Sequence, residues 1–247
     1  MEEPTLIRLD KALALRGLVS SRARGAALVD EGGVFVNGVV TTDRDRAIRD
    51  TDVITLSAET LSWVARSALK LIHALDHWQI DPSGLVVLDI GASTGGFTEV
   101  LLSRGAKRVY ALDVGHDQLA PTVKADPRVE NREGVHIKDA VLADFDPKPE
   151  LIVVDVSFIS LTKVLSKVKE LSPVGGQTVL LVKPQFEVGR GAPGKGVVKD
   201  SRLHQEAIEG VKNFALALGF TVDGPIPSPI LGGDGNKEFL LRLTRRK

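Results

Sequence analysis

Four charged side chains in apolar surroundings are the residues of this sequence best suited to chemistry. They are Lys70, Asp155, Lys183 and Glu238. Charges in such positions are costly unless they are paired, although singly each could be an ordinary salt-bridging charge. A lysine amine can accept a proton and a carboxylate can hold that lysine in place. Two lysines and two acids therefore indicate a site for proton transfer.

A glycine-containing turn is the clearest binding signal. Residues 87–97 read VLDIGASTGGF, a pattern typical of a strand, a close-approach turn and a helix. Asp113 ends the next apolar run, where a carboxylate can accept the hydroxyls of a ribose. Because the glycine spacing is G-x-x-x-G-G and not the dinucleotide pattern, it favours an adenosyl cofactor without phosphates, S-adenosyl-L-methionine. The candidate cofactor-binding residues are Asp89, Gly91, Ala92, Ser93, Gly95, Gly96, Phe97, Asp113 and Val114.

Alternating apolar runs and helical segments position these residues and predict an α/β fold. Continuous apolar strands with intervening helices indicate a Rossmann-like domain with a mainly parallel sheet, covered on both faces. The predicted strands are 86–89, 109–113, 151–155, 178–182 and a closing strand at 238–243. The predicted helices are 66–78, 97–103, 159–171 and 203–218. The Gly-rich segment 187–196 predicts a loop.

The chain changes character near residue 60, which predicts two domains. Residues 8–18 and 22–30 predict two helices, with Ser20 and Ser21 as candidate N-caps of the second. Asn37-Gly38 between two apolar runs predicts a hairpin with a type I′ turn, because this pair accepts positive φ angles. We therefore predict a small α+β domain at 1–60 and the α/β domain at 61–247.

The two N-terminal helices concentrate positive charge. Between residues 8 and 24 there is one acid, Asp10, and there are five basic residues: Arg8, Lys11, Arg16, Arg22 and Arg24. Arginine pairs bidentately with phosphate, so the cluster is a candidate RNA-binding surface, although charge alone fits a solvated helix face as well. Aromatic residues are only 4% of the chain, which favours recognition of folded RNA over stacking on single strands.

Composition limits the classes of function. The 247-residue chain is 43% hydrophobic and 26% charged, as in ordinary globular proteins. Its 32 basic residues balance 32 acidic ones, so any surface for nucleic acid must be local. The absence of cysteine removes disulfides and thiolate metal sites, and we expect no metal. No apolar run approaches the roughly 18 residues of a membrane span, so we expect a cytoplasmic protein.

Together these motifs resemble those of a known enzyme family. The four charged residues around an Asp-x-Gly turn are similar to the K-D-K-E tetrad of the FtsJ-type ribose 2′-O-methyltransferases. The chain more closely resembles the TlyA family, often labelled hemolysin A, in which an RNA-binding domain of the ribosomal-protein S4 type precedes such a methyltransferase domain. The resemblance is carried by RLD at 8–10, SRAR at 21–24, VNG at 36–38, DIGASTGGF at 89–97, DVSFISL at 155–161 and KPQFE at 183–187.

The resemblance implies an activity and roles for the tetrad. It implies transfer of a methyl group from S-adenosyl-L-methionine to a ribose 2′-hydroxyl, with cytidines of small- and large-subunit ribosomal RNA as targets. Such a transfer requires oxygen, carbon and sulfur nearly in line. Lys183, crowded by a sulfonium and by Lys70, would have its neutral form favoured and could accept the hydroxyl proton. Asp155 and Glu238 would hold the two lysines.

Departures from the family pattern leave other functions open. The chain has Ala65-Arg66-Ser67-Ala68 where the family usually has Ser-Arg-Gly-Gly, and Gly134 stands near the place of an expected Asn. These changes keep a non-catalytic ribosome-binding or assembly factor as an alternative. The segment 155–158 is faintly similar to the loop that cradles a flipped base, which keeps a base methyltransferase open. A membrane-active hemolysin would need an amphipathic or apolar element that the sequence does not show.

Overall fold

In a computed structural model, the chain divides into two compact units. The structure describes residues 6–19, 22–30, 32–57, 63–188, 197–232 and 235–247. The first unit takes in residues 1–66 and 232–235, and the second takes in 67–231 and 236–247. The candidate N-caps Ser20 and Ser21, the side chain of Arg24 and residues 189–196 of the predicted loop lie outside the described residues.

The first unit packs two helices against short antiparallel strands. Its elements are β1 (Ile7–Arg8), α1 (Leu9–Leu15), α2 (Arg22–Asp30), β2 (Val34–Val36), β3 (Val39–Thr41), β4 (Ala47–Ile48) and β5 (Ile54–Leu56). The predicted hairpin is confirmed as β2 and β3, and its turn residues Asn37 and Gly38 have φ angles of 53° and 80°. Helix α1 ends three residues before the predicted boundary, because the chain turns at Gly17 with a φ of 67°.

The second unit is a seven-stranded, mostly parallel sheet with helices. Its strands are β6 (Val86–Ile90), β7 (Arg108–Asp113), β8 (Val129–Glu133), β9 (Leu151–Val154), β10 (Gln177–Val182), β11 (Phe220–Pro227) and β12 (Phe239–Arg245). Its α-helices are α3 (Ala68–Trp78), α4 (Gly96–Ser103), α5 (Pro121–Lys124), α6 (Leu165–Leu171), α7 (Pro184–Glu187) and α8 (Ser201–Ala217). The α/β class and the mainly parallel sheet are confirmed.

Strand order places the ends of β6 and β9 side by side. The order is β11-β12-β10-β9-β6-β7-β8, and β12 runs in the direction opposite to the other six strands. The chain passes from β6 outward to β8 and then returns to β9 on the other side of β6. In open α/β sheets, ligands bind at such a reversal, beyond the carboxyl ends of the strands. All five residues of β6 are buried, so the reversal lies at the centre of the sheet.

One predicted helix is wrong in its first half. The sequence predicts a helix over 159–171, but a 3-10 turn at Leu161–Lys163 precedes α6, which begins at Leu165. Phe158 has a φ of 65°, and Ser160 is extended and accepts a hydrogen bond from the amide of Thr162. These conformations are incompatible with a continuous helix. None of the helices in the described residues is both long and apolar enough to cross a membrane.

Candidate active site

Two ion pairs bring the four predicted tetrad residues into one end of the sheet. Lys183 Nζ lies 2.6 Å from Asp155 Oδ1, and Lys70 Nζ lies 2.6 Å from Glu238 Oε2. Asp155 directly follows β9 and Lys183 follows the neighbouring parallel strand β10. Glu238 precedes β12, whose Phe239 pairs with the last residue of β10. Lys70 is supplied by α3.

The tetrad residues interact electrostatically beyond these two pairs. Burial by itself would raise the pKa of Asp155, but the positive charges of Lys183 and Lys70 hold that pKa below its ordinary value. Asp155 is therefore ionised at neutral pH and interacts electrostatically with both lysines. Lys183 also donates a hydrogen bond to Ser157 Oγ at 2.8 Å. Its amine thus contacts two oxygens near the surface, whereas the Lys70–Glu238 pair is buried.

Glycine at position 91 lets two strand ends approach each other. Gly91 has a φ of 86°, and a Cβ there would lie 2.3 Å from the carbonyl oxygen of Asp155. Such a distance is far inside van der Waals contact, so a side chain would push the Asp155 segment away. The close approach therefore places the glycine turn beside the Lys183–Asp155 pair.

A cleft of about 680 Å³ opens beside this turn. Apolar side chains from several elements line it, among them Ile90, Leu112, Val114, Ile137, Ile159 and Val164. The carboxylate of Asp113 lies at its wall, where Oδ2 accepts a hydrogen bond from Ser93 N at 2.9 Å and Oδ1 accepts one from Gly115 N at 2.7 Å. Asp155 and Ser157 also line the cleft. It offers apolar walls to a flat ring and a fixed carboxylate to hydroxyl groups.

The predicted cofactor-binding residues fall into two groups. Gly91, Ser93, Asp113 and Val114 line the cleft. The others do not line it: Asp89 lies in β6, Ala92 and Gly95 lie in the turn, and Gly96 and Phe97 begin α4. Asp89 is completely buried and accepts a hydrogen bond from Thr98 Oγ1 at 2.6 Å, while burial raises its pKa to about 7. This second group shapes the turn, and the side chain of Phe97 is buried.

Sequence reasoning missed two residues beside the tetrad. Phe158 is 91% exposed, and its ring lies 5.2 Å from that of Phe186. Glu187 accepts hydrogen bonds from Ser160 Oγ at 2.6 Å and from Leu161 N at 2.8 Å, so it ties the loop after β9 to the helix after β10. An aromatic residue three positions after Asp155, in the segment that follows a predicted strand end, is the signal that could have identified Phe158.

The structure separates the predicted RNA-binding residues. Arg8 and Arg22 come together at Asp10. Arg16 instead donates to the carbonyl oxygens of Asp52 and Arg49, and Lys11 is exposed. The side chains described for this chain include no group of three or more His, Cys, Asp and Glu residues that could hold a metal ion.

Comparison with protein families gives two matches. Residues 63–245 match the FtsJ-like methyltransferases, and residues 7–54 match the S4 domain. Among curated proteins, the chain is 41% identical to the 16S/23S rRNA (cytidine-2'-O)-methyltransferase TlyA of Mycobacterium tuberculosis, over 96% of this chain and 89% of that protein. It is 40% identical to Hemolysin A of Brachyspira hyodysenteriae, over 95% of this chain and 98% of that protein.

Solved structures show the same architecture. A candidate hemolysin from Streptococcus thermophilus is 40% identical, with a TM-score of 0.78 over 100% of this chain and 90% of that chain. An S-adenosylmethionine-dependent methyltransferase from Mesorhizobium loti is 16% identical, with a TM-score of 0.51 over 70% of this chain and 96% of that chain. The second likeness shows that the fold is the one used by S-adenosylmethionine-dependent methyltransferases.

Proposed function

Because the chain belongs to the FtsJ-like methyltransferase family, we propose that it transfers the methyl group of S-adenosyl-L-methionine to a cytidine ribose 2′-hydroxyl in ribosomal RNA. The observation that carries the proposal is the Lys183–Asp155 pair at the edge of the cleft. The relative from Mycobacterium tuberculosis is named for this reaction, and the match extends over both units. A protein with this substrate works where ribosomes are, so we place it in the cytoplasm.

The cleft fits the cofactor by shape and by chemistry. Asp113 keeps lone pairs on both oxygens beyond the backbone amides that fix it, and can accept the two hydroxyls of a ribose. Ile137 and Val164 among the apolar lining residues suit an adenine ring. Gly91 and Ser93 would lie against the remainder of the molecule. When bound, S-adenosyl-L-methionine supplies an electrophilic methyl group on a cationic sulfonium.

The tetrad supplies positioning and proton transfer. In the reaction a bond forms between the ribose oxygen and the methyl carbon, while the carbon–sulfur bond breaks and its electron pair stays on sulfur. The hydroxyl proton must leave, and Lys183 Nζ is the group placed to accept it. Since only a neutral amine has a lone pair, Lys183 must first release its own proton to solvent. Asp155 and Ser157 hold this amine at 2.6 and 2.8 Å. The buried Lys70–Glu238 pair holds the positive charge of Lys70 in place, and this charge acts on Asp155. We assign most of the acceleration to orientation of the reacting groups.

The first unit is proposed to bind the RNA. It matches the S4 domain, and its basic residues form a local cluster on a chain whose formal net charge is +0. Phosphate contacts from such residues fix register and orientation without reading base sequence. The choice of nucleotide is therefore assigned to the second unit, where the exposed ring of Phe158 can contact a base next to the reacting ribose.

Methyl transfer from labelled S-adenosyl-L-methionine to ribosomal subunits that lack the modification tests the proposal. The labelled nucleotide should resist alkaline cleavage, because hydrolysis needs a free 2′-hydroxyl. Lys183→Ala should bind the cofactor and the subunits yet transfer at least about 100-fold more slowly. Asp223→Asn, which breaks an exposed pair with Arg242, is the matched control and should transfer normally.

Each other result contradicts the proposal in a different way. Label on an alkali-sensitive nucleotide would identify a base methyltransferase. No label on any subunit, despite binding, would identify a non-catalytic ribosome-binding factor. Methyl transfer by Lys183→Ala at the wild-type rate would show that the protein catalyses the reaction without Lys183 as the proton acceptor.

A further inference from the structure

A buried carboxylate in the first unit holds two of the basic residues. Arg8 donates from Nε and Nη2 to the two oxygens of Asp10, at 3.2 and 3.0 Å, and Arg22 donates from Nε to Asp10 Oδ2 at 3.0 Å. The Asp10 side chain is only 4% exposed, whereas those of Arg8 and Arg22 are 46% and 57% exposed. The acid therefore lies behind two cations that face solvent.

Three separate elements converge to make this arrangement. Arg8 belongs to β1, Asp10 lies in the first turn of α1, and Arg22 is the first residue of α2. Gly25 lies one turn further along α2, and a Cβ there would be 2.9 Å from the carbonyl oxygen of Asp10 and 3.3 Å from Leu13 Cβ. Glycine thus allows α2 to pack close to α1, which brings Arg22 within reach of Asp10.

The geometry leaves part of each arginine available to a second anion. Both guanidinium groups turn their Nε edge to Asp10. Within the described part of the chain, the two Nη groups of Arg22 make no other hydrogen bond. The hydrogen bonds from Arg8 hold the pKa of Asp10 below its ordinary value, so the carboxylate is ionised at neutral pH. Arg22 therefore presents its two Nη groups as parallel donors that match phosphate oxygens. Arg8 presents Nη1, because its Nη2 contacts both Asp10 and Asp45.

We propose that Asp10 is a positioning residue that holds Arg8 and Arg22 as a preset clamp for neighbouring phosphate groups of folded RNA. The inference rests on the RNA-binding role proposed above for the first unit. An arginine that is already fixed loses less side-chain freedom when it binds, and for two such residues the gain amounts to about tenfold in affinity. Asp10 thereby strengthens binding to a polyanion although it is itself negative.

Asp10→Asn separates positioning from simple charge, because the two explanations predict opposite signs. Neutralising an acid beside a basic surface should tighten RNA binding if only charge matters. If Asp10 positions the arginines, the variant should bind unmodified ribosomal subunits about tenfold more weakly than the wild type. The matched control is Asp45→Asn, since Asp45 also pairs with Arg8 but is 65% exposed. Its affinity should stay the same or rise.

Two further affinity measurements test the positioning role at Arg22, and a stability measurement separates a loss of binding from a loss of folding. Arg22→Lys keeps the charge of an exposed side chain but removes the planar fork, and should also bind several-fold more weakly. Arg22→Gln should cost less affinity in the Asp10→Asn protein than in the wild type, because both changes break one unit. Thermal unfolding and cofactor binding are recorded for every variant.

The outcomes distinguish this inference from the proposed function. A folded Asp10→Asn protein that binds subunits as well as the wild type overturns the inference, and so does wild-type affinity in Arg22→Lys. In both cases methyl transfer by the wild type would leave the proposed function intact. Failure of the wild type to bind or methylate any subunit would overturn both.

Discussion

Burial of the Asp89 carboxylate makes folding stability depend on pH. Its pKa is raised from 3.8 to about 7, so between these values the folded state holds a proton that the unfolded state releases. Stability therefore falls as pH rises from about 4 to 7, by an amount on the order of 4 kcal/mol. Asp89→Asn keeps an oxygen for the Thr98 hydroxyl and should be more stable than the wild type at pH 8 but not at pH 4.

Urea unfolding of both proteins across this range measures the effect. The wild-type curve should slope downward with pH relative to the Asp89→Asn curve. Parallel curves would show that Asp89 has its ordinary pKa, whatever the effect of the substitution on overall stability.

Phe158 is exposed to an extent unusual for an aromatic side chain, at 91%. Removing it should leave the free energy of unfolding nearly unchanged, since little apolar surface is buried there. If the ring stacks on a base beside the reacting ribose, Phe158→Ala should lower methyl transfer about tenfold or more. Phe158→Trp should retain activity because it keeps a flat ring. Full activity of Phe158→Ala would show that the Phe158 ring makes no important contact with the substrate.

At the scale of elements, the approach of β6 to β9 decides whether the site forms. Gly91→Ala would place a Cβ 2.3 Å from the Asp155 carbonyl oxygen at a φ of 86°. We expect loss of cofactor binding and methyl transfer, together with destabilisation of more than about 2 kcal/mol. Gly175→Ala is the matched control, since its φ is 78° but no atom lies within 4 Å of the added Cβ. It should cost about 1 kcal/mol and keep activity.

The elements that sequence patterns predicted are the central ones. Strands β6, β7, β9 and β10 are continuous apolar runs, because both faces of a parallel sheet are covered. The missed strands β8 and β11 are the two edges of the sheet. Strand β8 is half-buried and carries the charged sequence VENRE. Strand β11 contains one Gly and two Pro, which edge strands tolerate. Neither has the apolar pattern by which strands are recognised.

The candidate site likewise has one part that the sequence pattern predicts and one part that it does not. Because Asp155 and Lys183 end neighbouring strands, their approach follows from the predicted sheet. The pairing of Lys70 with Glu238 does not, since it depends on how α3 packs beside β12 over a separation of 168 residues. Phe158 and Glu187 also take their positions from long-range packing, which the sequence alone does not encode in any local pattern. The roles of these residues stay predictions.

At the scale of the whole molecule, binding and chemistry are assigned to different units. The chain has a formal net charge of +0, so its attraction to RNA comes from a local surface and not from the molecule as a whole. Because phosphate contacts release counterions, raising salt from about 50 to 200 mM should increase the KM for ribosomal subunits steeply. At saturating subunit, kcat should change little, since the charges of the tetrad are in direct contact and at most slightly exposed, so that salt screens them poorly.

Substitutions in the two units should reproduce this separation. Arg22→Gln should raise KM and reduce its dependence on salt, while kcat stays near the wild-type value. Lys183→Ala should lower kcat and leave KM and its salt dependence unchanged. Steady-state methyl transfer at several salt concentrations measures both parameters for each protein. A fall in kcat for Arg22→Gln at saturating subunit would contradict the division, because it would show that the first unit acts on the chemical step as well as on binding.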